Sequence, residues 1–304
     1  MLRPNWLFFF FYLPPMIHSE KAYAKINLFL DVLSKRSDGY HDIGTLFQTV
    51  NLCDTLQARE RADGEVRLTY NNIQDYPVES DLVYRAAQAL RAFGGVAQGV
   101  DLHLEKVLPL GAGLGGGSAD AAAALRLLNR MWNLGLAPSV LCEIGAKLGA
   151  DVPFLVEGGT CLASGIGEIL ERVPAAQIPV DGVLVVATPL CAVPTKAAYA
   201  GISPSGDVRW NGFRKDLLSK PFPDPLFGKF DLFNKFEESV LPQFPQIQKM
   251  KDDFLSAGAL GTLMSGSGAS VFAFFETEIA GKSALERISS TSRFGAIARF
   301  VENC

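Results

Sequence analysis

PLGAGLGGGSADAAAALRLLN, Pro109 to Asn129, joins a glycine-dense turn to an alanine-rich helix. Five of the seven residues from Gly111 to Gly117 are glycine. Glycine lets the backbone turn tightly and approach a ligand with no Cβ in the way. A helix expected to begin at Ser118 aims free N–H groups and the positive end of its dipole at that turn. Such a junction suits a phosphate chain. Taken by itself, the stretch is also compatible with a turn that only packs a helix on a sheet.

Two familiar phosphate templates nearly fit and fail. Gly111, Gly113 and Gly116 satisfy G-x-G-x-x-G, but the dinucleotide fingerprint also needs a carboxylate about 20 positions on. That region reads WNLGLAPSV, Trp132 to Val140, with no acid. The G-x-x-x-x-G-K-[ST] pattern would put its lysine where Gly117 stands. Without that lysine, phosphates must be held by backbone N–H groups, a metal and charges from elsewhere.

Composition bounds the partners. The 304 residues suit two domains or one large one. A net charge of −4 with no dense Lys/Arg block argues against nucleic acid, while a local basic pocket stays open. Five scattered cysteines, three histidines and no C-x-x-C give no zinc or disulfide framework. Isolated thiols fit a reducing, cytoplasmic setting. WLFFFFYL, Trp6 to Leu13, has eight apolar residues, far short of the roughly 20 that span a bilayer. No small-residue cleavage site follows it. Residues 1–15 are expected to be an over-extended start or unstructured leader, with targeting or membrane attachment as the alternative.

Strands are expected at Ala24–Leu33, Gly44–Leu56, Glu65–Tyr70 and Val100–Leu104, and at Val183–Thr188. Gly261–Phe275 reads as strand, glycine turn and strand, and Gly295–Val301 as a last strand. Helices are expected after an N-cap at Ser80, over Ser118–Leu134 and Pro138–Leu148, then over Asn234–Leu241, Gln246–Ala257 and Ala280–Ser289. Residues 201–231 read as an irregular excursion. Mixed elements in two halves, without strict βαβ alternation, make the class α+β.

Three further segments join the glycine turn in one order: AYAKINLFLDVLSKRSDGYHDIGTLFQTV (Ala22–Val50), LGADVPF (Leu148–Phe154) and LMSGSGASVFAFF (Leu263–Phe275). Together they resemble the GHMP small-molecule kinase superfamily. Within it they resemble the 4-diphosphocytidyl-2-C-methyl-D-erythritol kinase family, from about residue 20 to the C-terminus. Ala119-Asp120 departs from the Ser-Asn more often found there. The resemblance implies a ribosomal S5 domain 2-like, ATP-binding lobe over 16–165 and a ferredoxin-like lobe over 166–304. ATP, with Mg²⁺, and a cytidylyl sugar-alcohol acceptor would meet in the cleft between them.

Residues can then be given candidate roles. Pro109, Leu110, Gly111, Ala112, Gly113, Leu114, Gly115, Gly116, Gly117 and Ser118 form the phosphate loop. Ser118 can offer its hydroxyl to phosphate or Mg²⁺, or serve as a plain N-cap. Asp151 alone would pass for a turn residue and Lys25 for a solvated strand lysine. The GADVPF and AKINL matches imply instead a catalytic base and its ammonium partner. By resemblance Tyr40 stacks on the cytosine, His41 bonds its edge, and Thr195 and Tyr199 supply a second contact and a second aromatic. Asn27, two residues past Lys25 on the same strand face, is a polar substrate contact. Ser265–Gly268 is either a second phosphate-side turn or a tight hairpin. The N-x-F-E segment from Asn234 reads as a helix start. Competing functions are another GHMP kinase, acting on mevalonate, homoserine or a sugar, and a non-catalytic nucleotide sensor.

Overall fold

The computed structural model describes residues 16–72, 76–174, 183–219 and 232–302. The leader and Cys304 lie outside the described residues, as does the part of the excursion from 220 to 231.

Two long strands, β1 (His18–Lys35) and β2 (His41–Arg61), pair antiparallel around the Asp38-Gly39 turn. From Ala24 to Val32 every residue of β1 is buried. Such a run suits a strand covered on both faces. Register shifts interrupt the pair, one leaving Leu28 as an extra residue between Asn27 and Phe29. A bulge re-phases the alternation of side chains. Lys25, Asn27 and, past the bulge, Leu30 therefore line one cleft.

β3 (Val66–Tyr70) and β4 (Gly99–Glu105) extend this sheet on one side, while β5 (Thr160–Ser164) pairs onto the first half of β2 and β6 (Ile169–Arg172) onto β5. The sheet thus runs on to Arg172, past the boundary expected at 165/166. Against it pack α1 (Leu82–Gly94), α2 (Gly116–Met131), α3 (Pro138–Ala146) and α4 (Val152–Glu157). Ala121–Leu125 of α2 are wholly buried. Small alanines let this helix lie close on the sheet.

The second half contains β7 (Val183–Pro189), α5 (Thr195–Ala200), α6 (Val208–Ser219), β8 (Phe233–Asn234), α7 (Glu237–Val240) and α8 (Pro245–Ser256). After these come β9 (Gly261–Met264), β10 (Val271–Phe275), α9 (Glu278–Ile288) and β11 (Ser292–Ala298). Its four-stranded sheet has the order β11-β7-β10-β9, antiparallel throughout. With α8 before β9 and α9 after β10, this is the ferredoxin-like arrangement expected. The α+β class and the two-lobed fold hold.

The lobes share a core: Ala24, Ile26 and Leu28 of β1 pack with Leu184, Val186 and Phe272 of the second sheet. β8 also pairs with Phe29 and Leu30 of β1.

Three local expectations need correction. Asp81, not Ser80, caps α1, its carboxylate accepting from the Val83 N–H at 2.7 Å. Asn234 opens no helix; it ends the short strand β8, and only Glu237–Val240 is helical. The excursion contains a helix, α6, whose Trp210 and Phe213 pack on Phe29.

Candidate active site

The glycine loop approaches the rest of the protein too closely for side chains. A Cβ on Gly113 would meet the Ser265 carbonyl oxygen at 2.0 Å, and one on Gly115 would meet Lys25 Cγ at 3.0 Å, both positions having φ near +70° (76° and 70°). The loop's carbonyls turn back into the protein. Ala112 O accepts from Ser270 N at 3.0 Å, Gly113 O from Ser265 Oγ at 2.9 Å, and Leu114 O from Lys25 N at 3.0 Å. The N–H groups of Gly113 through Gly117 find no acceptor among the described residues. That polarity, carbonyls in and N–H groups out, is what an anion needs.

Helix α2 starts at Gly116 with Gly115 as N-cap, two residues before the expected Ser118. Three successive glycines can enter the turn, so the backbone becomes helical before a serine is available. Ser118 therefore sits inside the first turn, with no capping bond, and its hydroxyl lines the cleft.

At the floor of the cleft, Lys25 and Asn27 are 4% and 1% exposed. Lys25 Nζ donates to Asn27 Oδ1 at 2.8 Å, Asn27 Nδ2 to Thr45 Oγ1 at 2.8 Å, and that hydroxyl to Phe29 O at 2.6 Å. The ammonium lies 5.1 Å from the Phe47 ring centroid and 3.6 Å from Asp151 Oδ2. Asp151 occupies the N-cap position of α4, yet its carboxylate makes no capping bond and faces the cleft. Lys25 is thus buried rather than solvated, and Asp151, in the turn before α4, directs its carboxylate into the cleft.

The rim is aromatic. His41 and Tyr199 stack with centroids 4.9 Å apart at 23°, and Phe236 meets Tyr199 edge-on at 4.7 Å. Burial, with Asp151 adding to it, pushes the Tyr199 phenol up to about 12, so it stays neutral. Tyr40 stands at the mouth, 61% exposed. Thr195 Oγ1 lies 3.3 Å from Ser267 Oγ.

These groups border one cavity of about 400 Å³, together with Gly111, Gly113 and Gly115. Of the loop residues expected, Pro109, Leu110, Ala112, Leu114, Gly116 and Gly117 do not line it; Ala112 and Leu114 are buried beneath the turn. Leu110 and Gly117 border a second cavity of about 270 Å³, with Tyr76, Leu82, Leu104, Lys106 and Asp120. The loop thus separates two hollows. No cluster of three or more His, Cys, Asp or Glu side chains among the described residues could hold a metal by itself.

Further residues build the cleft, some from segments that the sequence reads only as structural or as a turn. Phe236, Ile166 and Ser267 line the cleft. Asn234 Nδ2 donates to Met264 O at 2.7 Å and Gly266 O at 2.8 Å, and Glu237 Oε1 accepts from Met264 N at 2.8 Å. The N-x-F-E segment therefore holds the second glycine turn, and that turn braces the first. Ser265–Gly268 is the turn of the β9–β10 hairpin, and Gly266 and Ser267 within it line the cleft.

Residues 81–159 match the model described as GHMP kinases N terminal domain, and residues 224–293 that of GHMP kinases C terminal. A 4-diphosphocytidyl-2-C-methyl-D-erythritol kinase of Pelotomaculum thermopropionicum is 42% identical over 257 residues, covering 84% of this chain and 88% of the relative. The chain belongs to the 4-diphosphocytidyl-2-C-methyl-D-erythritol kinase family. A crystal structure of a 4-(cytidine 5'-diphospho)-2C-methyl-D-erythritol kinase superposes on it with a TM-score of 0.75 at 31% identity, covering 93% of this chain and 98% of the other. A homoserine kinase from Cytophaga hutchinsonii reaches 0.72 at 22% identity, covering 96% and 97%, which is a likeness of fold. As a GHMP kinase, the protein uses ATP as phosphoryl donor. No helix among the described residues of this kinase is long and apolar enough to cross a membrane.

Proposed function

We propose that the protein transfers the γ-phosphate of ATP to the 2-hydroxyl of 4-diphosphocytidyl-2-C-methyl-D-erythritol, a step of the non-mevalonate route to isoprenoid precursors. The observation that carries this reading is one cleft holding the Lys25–Asp151 pair at its floor and the His41–Tyr199 stack at its rim, beside the glycine loop. A planar base needs an aromatic face and a directional polar group. Mevalonate and homoserine offer no ring for such a rim.

The triphosphate would lie along the N–H face of the loop, its nucleoside in the hollow beyond Leu110 and Gly117 and its γ-phosphate toward Ser118 and Lys25. Asp151 would accept the proton of the acceptor hydroxyl as its oxygen bonds to phosphorus and the bond to the β-phosphate oxygen breaks. Lys25, its head fixed by Asn27 and Thr45, would offset charge on the moving phosphoryl group. Tyr40, His41, Tyr199 and Thr195 would hold the cytidylyl end, and Asn27 the alcohol end.

Mg²⁺ in such sites takes one or two protein oxygens and otherwise binds phosphate and water. The uncapped Ser118 hydroxyl fits that demand, and the ion would supply charge neutralisation on the phosphates. A cytoplasmic setting agrees with ATP as donor and with the thiols of Cys53, Cys142, Cys161 and Cys191, all free. The partners are small molecules; the net charge of −4 offers no footprint for nucleic acid.

The test is turnover by purified protein, with the cytidylyl acceptor, mevalonate and homoserine run in parallel and the product phosphate located by NMR. Phosphate on the 2-hydroxyl of the cytidylyl compound alone is expected. Equal or better turnover of either other alcohol would overturn the assignment.

A further inference from the structure

Beneath the glycine loop lies a charged group to which no role has been given above. Asp54, on β2, is wholly buried. Its Oδ1 accepts from two successive backbone N–H groups, Val107 at 2.5 Å and Leu108 at 2.8 Å, immediately before Pro109. Its Oδ2 accepts from Lys106 Nζ at 2.6 Å. The same ammonium donates to Asp120 Oδ2, also at 2.6 Å, in the first turns of α2. Burial pulls the Lys106 pKa down, but the charges of Asp120 and Asp54 override it and leave it raised, so the lysine is cationic. A Cβ on Gly116 would come within 3.5 Å of Lys106 Nζ, which places the ammonium directly under the start of the helix.

One carboxylate therefore grips both ends of the loop. It holds the entry through two N–H groups and the exit through the Lys106 bridge to Asp120. The anchor is β2, a strand paired with β1 on one side and β4 on the other within the large sheet. Between those ends the N–H groups of Gly113 through Gly117 have no acceptor among the described residues. A loop whose ends drift by an ångström no longer presents its N–H groups to successive phosphate oxygens, and misplacement of that size can cost about a hundredfold in rate.

We propose that Asp54 is a positioning residue that fixes the span of the glycine loop and so sets its affinity for the nucleotide. This rests on the reading of the loop as the phosphate cradle. Asp54 touches neither the acceptor cleft nor its rim, so its removal should separate the two ligands. In Asp54→Asn the amide oxygen can still accept from Val107 and Leu108, but the bond to Lys106 weakens. Burial, with Asp54 adding to it, pushes the Asp120 carboxyl up to about 8. The asparagine removes the Asp54 charge, which favours an ionised Asp120 beside Lys106 and leaves that ammonium a counter-charge. In Asp54→Ala both grips are gone.

The experiment measures binding of ADP and of the cytidylyl acceptor by calorimetry to wild-type protein, Asp54→Asn and Asp54→Ala, with amide hydrogen exchange recorded on each. ADP affinity is expected to fall about tenfold in the asparagine variant, and further in the alanine variant. Acceptor affinity should stay within about twofold. Exchange should speed at Val107 and Leu108 in Asp54→Ala while β1 and β2 remain protected. Unchanged ADP affinity, or equal weakening of both ligands, would overturn the clamp. Wild-type protein with no affinity for ADP would remove the phosphate reading of the loop, and the clamp with it.

Discussion

At the floor of the cleft Lys25 and Asn27 are almost fully buried and joined through Thr45 to the backbone of β1, whereas at the rim Tyr40 is largely exposed and His41 meets Tyr199 only face to face. The floor residues come from a single sheet and the helix layer on it. The rim draws Tyr40 and His41 from the β1–β2 turn and Thr195 and Tyr199 from the second half of the chain. A network of buried, satisfied hydrogen bonds specifies one geometry, which suits a step that needs atoms aligned. Ring contacts are less directional and tolerate the adjustment that admitting a large substrate demands. Chemistry should therefore depend on one lobe and recognition on both.

That division can be broken in several ways. Replacing the floor carboxylate has the largest expected effect. Asp151→Asn should lower kcat by about a thousandfold while ADP affinity is unchanged, as general-base catalysis contributes roughly 10²–10⁴. A rate within tenfold of wild type would remove Asp151 from the reaction. At the rim the effect should be smaller and of another kind. Tyr199→Ala is expected to raise KM for the cytidylyl acceptor about tenfold, since a base–aromatic stack is worth roughly 1–3 kcal/mol, with KM for ATP unmoved. Equal increases for both substrates would mean that Tyr199 holds the lobes together rather than the base.

Asn234 tests the brace between the two glycine turns. Asn234→Ala leaves the Met264 and Gly266 carbonyls unbonded by a side chain. The expected cost is about 1–3 kcal/mol of stability, read by denaturant unfolding, with a fall in kcat as the second turn loosens. Stability loss with kcat intact would separate the brace from the site.

The smallest expected effect lies away from the cleft. Asp31 is wholly buried on β1, where one oxygen accepts from Val32 N at 2.9 Å. Burial raises its pKa above 3.8 against the opposing pull of Ser205, Val32 N, Lys235 and Arg209. Above 3.8 the folded state holds this proton more tightly than the unfolded chain, so this group's contribution to stability falls as pH rises through the raised pKa. Asp31→Asn should therefore gain stability relative to wild type as pH rises from about 4 to 7. A gain that is the same at every pH in thermal unfolding would contradict the sign.

Much of this was legible locally. Glycine density and the alanine run located the loop and α2, and alternation located most of the strands, because those signals lie within a few residues of the feature they encode. The side-chain directions on β1 were less accessible. Leu28 shifts the phase of the strand, and no residue near it announces a bulge. Resemblance, rather than pattern, pointed Lys25 inward. Asp54 was invisible for a different reason: in NLCDTLQ it reads as a polar residue on an alternating strand, and the N–H groups it serves lie 53 and 54 residues away. The segment from Asn234 carries a helix-start signal because a two-residue strand is too short to carry a period. Serine favours the cap, which points to Ser118, but Gly115 takes the left-handed turn three residues sooner.

The separation of floor from rim is tested most directly by comparing two acceptors that differ only in the base end. Steady-state kinetics with 4-diphosphocytidyl-2-C-methyl-D-erythritol and with 2-C-methyl-D-erythritol 4-phosphate offer the same hydroxyl to Asp151, with and without a ring for Tyr40, His41 and Tyr199. If the floor performs the chemistry and the rim reads the base, the cytidylyl compound should be favoured at least about a hundredfold in kcat/KM. Comparable kcat/KM for the two would show that the aromatic rim reads no base and would contradict the account.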